Sequence, residues 1–329
     1  MDHFTEAQLP IAMMRLPGIG QKKTLKYAQE CGDSESAFFS VACGEMGKSK
    51  EAAATAWMEA GRTIVQCRQL GIRPIAFTNS DGQYPRQLDV LRRTGPNGRI
   101  KDERPPVIYV KGDIEALRHP GRTVAIVGTR NPTEHGMDSA RRLGGYAAQK
   151  GISVVSGLAY GCDQQAHEGC TEEGGTAIAI LAHGLDHIYP LDNKHLANTI
   201  LDCGGCWVSE YPPGTKAGRW SFIARDRLQS ALSDLIIVIQ TGTKGGTMHT
   251  VGFAEQQGRP IACLRPDPDP AESNHPSVQG NWELLDNGRA YELAKPSDLQ
   301  KILNPIPSSG DGAALEGSQF SLFDGHSGS

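Results

Sequence analysis

Neither sign of charge dominates this chain: 33 Lys and Arg stand against 37 Asp and Glu over 329 residues, a net charge of −4. Binding to a polyanion must therefore rest on a local basic patch and not on the global field. Long apolar runs are missing as well. No stretch approaches the roughly 20 apolar residues of a membrane span, and "MDHFTEAQLP" lacks the basic n-region and apolar run of a secretion signal. The expectation is a globular cytoplasmic protein with no membrane segment. Eight irregularly spaced cysteines read as reduced thiols and not as a disulfide framework. Cys203 and Cys206 in "DCGGCW" have no second pair or histidines at zinc-site spacing, so no metal is expected. Absent too are a G-x-G-x-x-G and a Walker loop, which takes weight from the ordinary dinucleotide and P-loop readings. No cofactor is expected.

What is present divides the chain into four. Residues 1–70 are patterned as helices, broken at "LPGIGQKK", where Pro17, Gly18 and Gly20 stop one helix and Lys22, Lys23 and Lys26 ride on the next. Such a turn suits a helix-hairpin-helix, in which glycines let backbone N–H groups approach a phosphate. A tight turn in a small helical domain of the SAM-like kind fits it equally. A long helix follows across "SKEAAATAWMEAGRTIVQCRQLG". Residues 71–121 turn extended, punctuated by Pro74, Pro85, Pro105 and Pro106, and connect to the core.

From 122 to 305 the pattern changes class. "TVAIVGTR", "ISVVSGLA", "TAIAILAHG", "CWVSEYPPG", "DLIIVIQTG" and "RPIACL" are short apolar runs separated by helical or loop segments. Runs apolar on both faces predict a parallel sheet covered by helices, an α/β Rossmann-like doubly wound fold. Ligands of such sheets bind at the carboxyl ends of the strands. Two loops there combine glycine, hydroxyls and a helix start, a pattern suited to holding phosphate on backbone N–H groups. They contribute Ser156, Gly157 and Gly161 in "SGLAYGCD" and Gly245, Gly246 and Thr247 in "TGTKGGT", with Gly128 at the neighbouring strand end. "KAGRWSFIARDR" gathers Lys216, Arg219, Arg225 and Arg227 around Trp220 and Phe222, a basic and aromatic mixture suited to single strands. Tyr160, Tyr189 and Tyr211 could stack bases or seal the loops. Asp163 and His167 share a helical face and with His249 could suggest acid/base chemistry, but no nucleophile with a partnered base is visible in the sequence.

The loop motifs "VAIVGTRNPTEHG", "GISVVSGLAYGCDQQAH", "LAHGLDHIYPLDNKHLANTI", "SEYPPGT", "FIARDRLQSALSD" and "GRPIACL" follow in the order found in the DprA/Smf family of DNA-processing proteins, which the chain resembles from about Arg122 to Leu303. The resemblance implies single-stranded DNA binding, loading of the RecA recombinase, a working homodimer and no turnover. By motif position it implies that Arg130 of "GTR", with Arg225 and Arg227, contacts the strand, and that Lys216 and Lys244 assist from neighbouring loops. It implies structural roles for Asp163, as a helix cap, and for His167. Two departures stand out. Asp226 takes a place where the family usually has asparagine, and "TKGGTMHT" replaces a serine-glycine-serine-leucine type of loop. The alternative is a nucleotide-binding sensor or an N-glycosidic hydrolase similar to the LOG family, whose loop resembles P-G-G-x-G-T-x-x-E. Aligned on Gly246-Thr247, that loop puts Thr250 where the catalytic glutamate should stand.

Residues 306–329 are rich in glycine and serine and lack periodicity, the composition of a flexible tail. Within them Gln319, Phe320, Ser321, Leu322 and Phe323 form "QFSLF", which resembles the peptide that docks on the bacterial sliding clamp. Apolar anchors in such a segment gain burial only when a partner supplies the groove.

Overall fold

The structure, a computed structural model, describes residues 3–31, 34–78, 82–95, 97–118 and 121–307. Four helices come first: α1 (His3–Arg15), α2 (Gln21–Glu30), α3 (Glu35–Ser40) and α4 (Lys50–Gln69). The break after α1 has a backbone cause, because Gly18 takes a φ of 72° that other residues rarely adopt. Lys48 Nζ donates to the Pro17 carbonyl at 2.6 Å and so closes the turn, while Lys22, Lys23 and Lys26 lie exposed on α2. Ser49 starts α4, its hydroxyl accepting from Ala52 N at 3.2 Å. These helices have no core of their own. Leu9, Met13, Ala60 and Ile64 belong to the same buried cluster as Ile72, Tyr109, Val124 and Ile237 of the central sheet.

The next segment holds β1 (Ile72–Ala76), a small hairpin of β2 (Arg92–Thr94) and β3 (Ile100–Asp102), β4 (Val107–Gly112) and the short α5 (Glu115–Arg118). What the sequence marks only as an extended connection is in fact part of the main sheet: β1 pairs antiparallel with β4. The alternating units of the doubly wound region follow, β5 (Arg122–Val127), α6 (Glu134–Gln149), β6 (Ile152–Ser156), α7 (Cys162–Glu172), β7 (Ala177–Leu181), α8 (Lys194–Asp202) and β8 (Cys206–Ser209). The remainder is α9 (Arg219–Ala231), β9 (Leu235–Val238), α10 (Gly246–Gln257), β10 (Ile261–Leu264), α11 (Pro270–Ser273), α12 (Gln279–Asp286), β11 (Tyr291–Leu293) and α13 (Asp298–Leu303).

All six expected strands form, and they run parallel in one sheet of order β1-β4-β8-β7-β6-β5-β9-β10-β11. Their continuous apolar character follows from burial on both faces. In β5, Val124 and Ile126 enter one buried layer while Ala125 and Val127 enter the other. The chain steps outward from β5 through β6, β7 and β8, then crosses back to β9 on the other flank of β5. The loops leaving β5 and β9 therefore diverge toward opposite faces and leave a crevice between their carboxyl ends, the usual ligand position of such a sheet. Among the described residues no helix is long and apolar enough to cross a membrane.

Candidate nucleic-acid interface

The crevice is a cavity of about 660 Å³, built from four segments: the loop after β5, the start of α7, the first three turns of α9 and the glycine loop that opens α10. Hydrogen bonds across the β5–β9 seam hold the first and last of these together. Thr129 N donates to the Gln240 carbonyl at 2.8 Å, and the Gln240 carboxamide exchanges bonds with Thr133 N and Thr133 Oγ1 at 2.9 and 2.8 Å. Asn281, wholly buried, clasps the base of the glycine loop from α12: its Oδ1 accepts from Thr241 N at 2.9 Å while its Nδ2 donates to the Ile239 and Leu264 carbonyls. The loop above this clasp is exposed from Thr243 to Gly246, with Lys244 on it, and Gly245 takes a φ of 134° at the N-cap of α10. The first N–H groups of any helix lack intrahelical acceptors, so the turn at Gly246 and Thr247 presents donors to the crevice.

The rim carries cations and rings. Arg130 lies over the Phe222 ring at 5.2 Å and Arg219 over Trp220 at 5.8 Å, and Trp220 is 76% exposed. Tyr189, half exposed, meets Phe222 with ring centroids 5.9 Å apart. Tyr160 is exposed and donates to Asp192 at 2.7 Å, whereas Tyr211 is half-buried. Ser221 organises the start of α9, its hydroxyl accepting from Gly218 N and donating to the Gly218 carbonyl, both at 2.8 Å.

The floor is different in kind. Arg225 is buried, with Nη1 donating to the Ile180 carbonyl at 3.0 Å and Nε 3.3 Å from Asp226 Oδ1. The guanidinium passes where a side chain at position 157 would stand, so only glycine fits there. Asp163, also buried, accepts from Gly157 N at 3.1 Å through Oδ2. With its amide turned to match both neighbours, Gln229 donates to Asp226 Oδ1 at 3.1 Å and accepts from Gly157 N at 2.8 Å and Arg225 Nη1 at 3.2 Å. Burial pushes the Asp163 carboxyl up, against the pull of Arg225 and of the backbone N–H groups. Burial also pushes the Asp226 carboxyl up to about 7, opposed by Arg225 and Arg130 and reinforced by Asp163. His167, fully buried behind this group, is pushed down to about 4 by burial, so it is neutral at physiological pH.

Sequence-based expectations divide on this geometry. Arg130, Arg219, Arg225 and Lys244 line one cavity with Gly128, Gly245, Gly246 and Thr247. Lys216 is exposed just ahead of α9 but outside the lining, and Gly161, with φ 77°, packs against the Thr129 and Arg130 carbonyls. Arg225, expected to contact the strand, lies on the cavity floor with its guanidinium committed to the Ile180 carbonyl and Asp226, and three further residues expected to face a strand or a phosphate are turned inward as well. The Arg227 guanidinium holds Glu210 through two bonds of 2.8 and 2.6 Å and also donates to the Ala224 carbonyl. Burial disfavours its charge, yet the opposed Glu210 more than offsets this and holds the group above its ordinary range. Ser156, fully buried, gives its hydroxyl to the Ile126 carbonyl at 2.6 Å, and Gly157 N is taken by Asp163. The pitch of the helix separates the two arginines: positions 225 and 227 are about 200° apart around α9, so when one enters the crevice the other must leave it. Asp163 does not cap α7, which starts from Gly161; it anchors the preceding loop. Gln229 has no place among the expected site residues, although a polar residue one turn after Arg225 is a signal for it. Thr250 is buried on the cavity wall, and Glu255 lies outside the lining, paired with Arg289 at 2.8 Å. The QFSLF peptide, Gln319 to Phe323, lies outside the described residues.

Sheet order and cavity define an α/β protein of the doubly wound class, with a cation-rimmed crevice at its switch point. The family described as DNA recombination-mediator protein A matches residues 76–304, and the chain belongs to that family. It is 34% identical over 227 residues to DNA processing protein DprA of Bacillus subtilis, covering 69% of this chain and 70% of that one. It is also 34% identical over 236 residues to Protein Smf of Synechocystis sp., covering 71% of this chain but only 55% of the relative. A solved structure of DNA processing protein A from Helicobacter pylori, which concerns that protein's single-stranded DNA binding mode, superposes with a TM-score of 0.59 at 28% identity. It covers 71% of this chain and 97% of the other. The Streptococcus pneumoniae DprA structure shares the fold over 93% of this chain and 96% of its own, with a TM-score of 0.64 at 22% identity.

If Arg227 is a structural ion pair, Glu210→Gln strands a buried guanidinium and lowers stability by about 3–5 kcal/mol in urea denaturation. A loss below about 1 kcal/mol contradicts that assignment.

Proposed function

We propose that the chain binds single-stranded DNA across the crevice and acts as a recombination mediator, holding the strand for a RecA recombinase while working as a homodimer and without chemical turnover. The observation that carries the reading is the exposed set of Arg130, Arg219 and Lys244 around a glycine loop at a helix start, with Trp220 and Phe222 beside them. Phosphates suit the cations and the N–H groups, and unpaired bases suit the rings, a combination that duplex DNA does not satisfy because its bases are already stacked. The local patch also answers the near-neutral overall charge. Thr250 in place of a carboxylate favours holding a ligand over cleaving it, since the wall then lacks a general base at that position. Arg225 supports the rim from below, and Lys216 extends the positive surface at the entry to α9. The family membership and the Helicobacter pylori relative's single-stranded DNA binding support the same reading.

Arg130→Glu and Lys244→Glu are each expected to weaken binding of a labelled oligothymidylate by about tenfold or more. Each should also reduce the slope of log affinity against log salt by about 1 for every phosphate that is no longer neutralised. Arg142→Glu, an exposed change on α6 outside the cavity lining, leaves both quantities unchanged. Binding that is indifferent to Arg130 and Lys244 places the strand elsewhere. Docking on a sliding clamp is assigned to Gln319–Phe323 on its sequence alone. A chain ending at Ser318 should lose measurable affinity for the clamp, and equal affinity of the two chains contradicts the assignment.

A further inference from the structure

The crevice has a cationic rim but a floor whose charges do not cancel. Asp163 and Asp226 are both buried, and one guanidinium, that of Arg225, stands between them with one arm already spent on the Ile180 carbonyl. With both carboxyls ionised the floor carries net negative charge beneath the place where a phosphate would lie. We propose that Asp226 sets the charge selectivity of the crevice: a phosphate group enters together with one proton, which the Asp163–Asp226 pair takes up. This inference rests on the reading of the crevice as the strand-binding site and specifies how that site is regulated.

The arrangement leaves the floor few other ways to accommodate an anion. Arg225 cannot swing up to the ligand without abandoning the Ile180 carbonyl and the two carboxyls, and its path past Gly157 is sterically confined. The charged groups acting on Asp226 are Arg225 on its own helix, Asp163 from α7 and Arg130 from the loop after β5; Arg219, Lys244 and His249 line the same cavity, His167 of α7 lies within reach of Arg225, and Arg227 follows Asp226 on α9. Arg227 is neutralised by Glu210, and His167 is kept uncharged by burial, so neither supplies the missing positive charge. A carboxyl can remove its own charge by taking a proton, and burial has already brought Asp226 to about 7. A phosphate nearby repels the carboxylate further and raises that value, so binding is linked to proton uptake from neutral pH upward. Below about pH 7 Asp226 already holds its proton and affinity is level; above it each strand must bring a proton, and affinity falls as pH rises.

The test measures binding of a labelled oligothymidylate of about 20 nucleotides from about pH 6 to about pH 8.5 at constant salt, with wild type, Asp226→Asn and His249→Gln. His249 is included because its imidazole, on the same wall, becomes cationic on taking a proton and so offers a rival source of the pH dependence. The expected result is a dissociation constant that rises about tenfold per pH unit above neutrality in the wild type and in His249→Gln. Asp226→Asn loses that slope and binds more tightly than the wild type at the alkaline end. Identical profiles for wild type and Asp226→Asn overturn the proposal, as does a slope that disappears with His249→Gln instead. If no protein binds the strand at any pH, the strand-binding reading itself fails. The proton is then read from the thermal shift given by inorganic phosphate, where equal pH profiles of wild type and Asp226→Asn overturn the inference and a profile lost only in Asp226→Asn supports it.

Discussion

Everything at the crevice depends on one buried arginine. Arg225 needs a carbonyl at the end of β7, two carboxyls and a neighbour without a side chain, and it finds them in Ile180, Asp163, Asp226 and Gly157. Burying a guanidinium without such partners costs several kcal/mol, so the four positions form one constraint, not four separate ones. That constraint sets the distance between α7 and α9 and thereby the width of the opening above. The exposed cations, Arg130, Arg219 and Lys244, then stand on a frame that does not have to reorganise when an anion arrives.

Division of labour along α9 explains why a short basic stretch serves two purposes. Arg219 and Trp220 face outward at its first turn, where the helix begins in solvent. Two turns later the same helix is buried between β7 and two separate segments, one carrying Glu103 just after β3 and the other Glu210 just after β8, and its arginines become structural cement. Arg227 with Glu210 seals the far side of the helix, and Arg225 seals the near side. Between them Asp226 is left close to neutrality in its ionisation, a group balanced between burial and its cationic neighbours.

Much of the fold was legible because burial on both faces leaves a strong imprint: the runs at Val124–Val127, Val154–Val155, Ala177–Leu181 and Leu235–Val238 have no polar alternation to confuse them. The antiparallel addition of β1 and β4 was not legible, since prolines at 74, 105 and 106 mask short edge-side strands. At the site, residue type was readable and direction was not. Arginine at 225 and 227 predicts cationic groups, but only the helical phase of α9 and the position of Glu210 decide which way each one points. Ser156 and Gly157 carry the composition of a phosphate loop, yet their donors are consumed by Ile126 and Asp163, residues that sequence spacing does not bring together.

The central claim is that a single strand crosses the crevice between α9 and the glycine loop of α10. Photo-crosslinking with an oligonucleotide carrying 5-iodouracil, followed by peptide mapping, tests it most directly. The account predicts adducts on Trp220 or Phe222 and on the loop from Gly242 to His249, all of which line or border the cavity. Adducts confined to the lysines of α2, with none on these two segments, would contradict it.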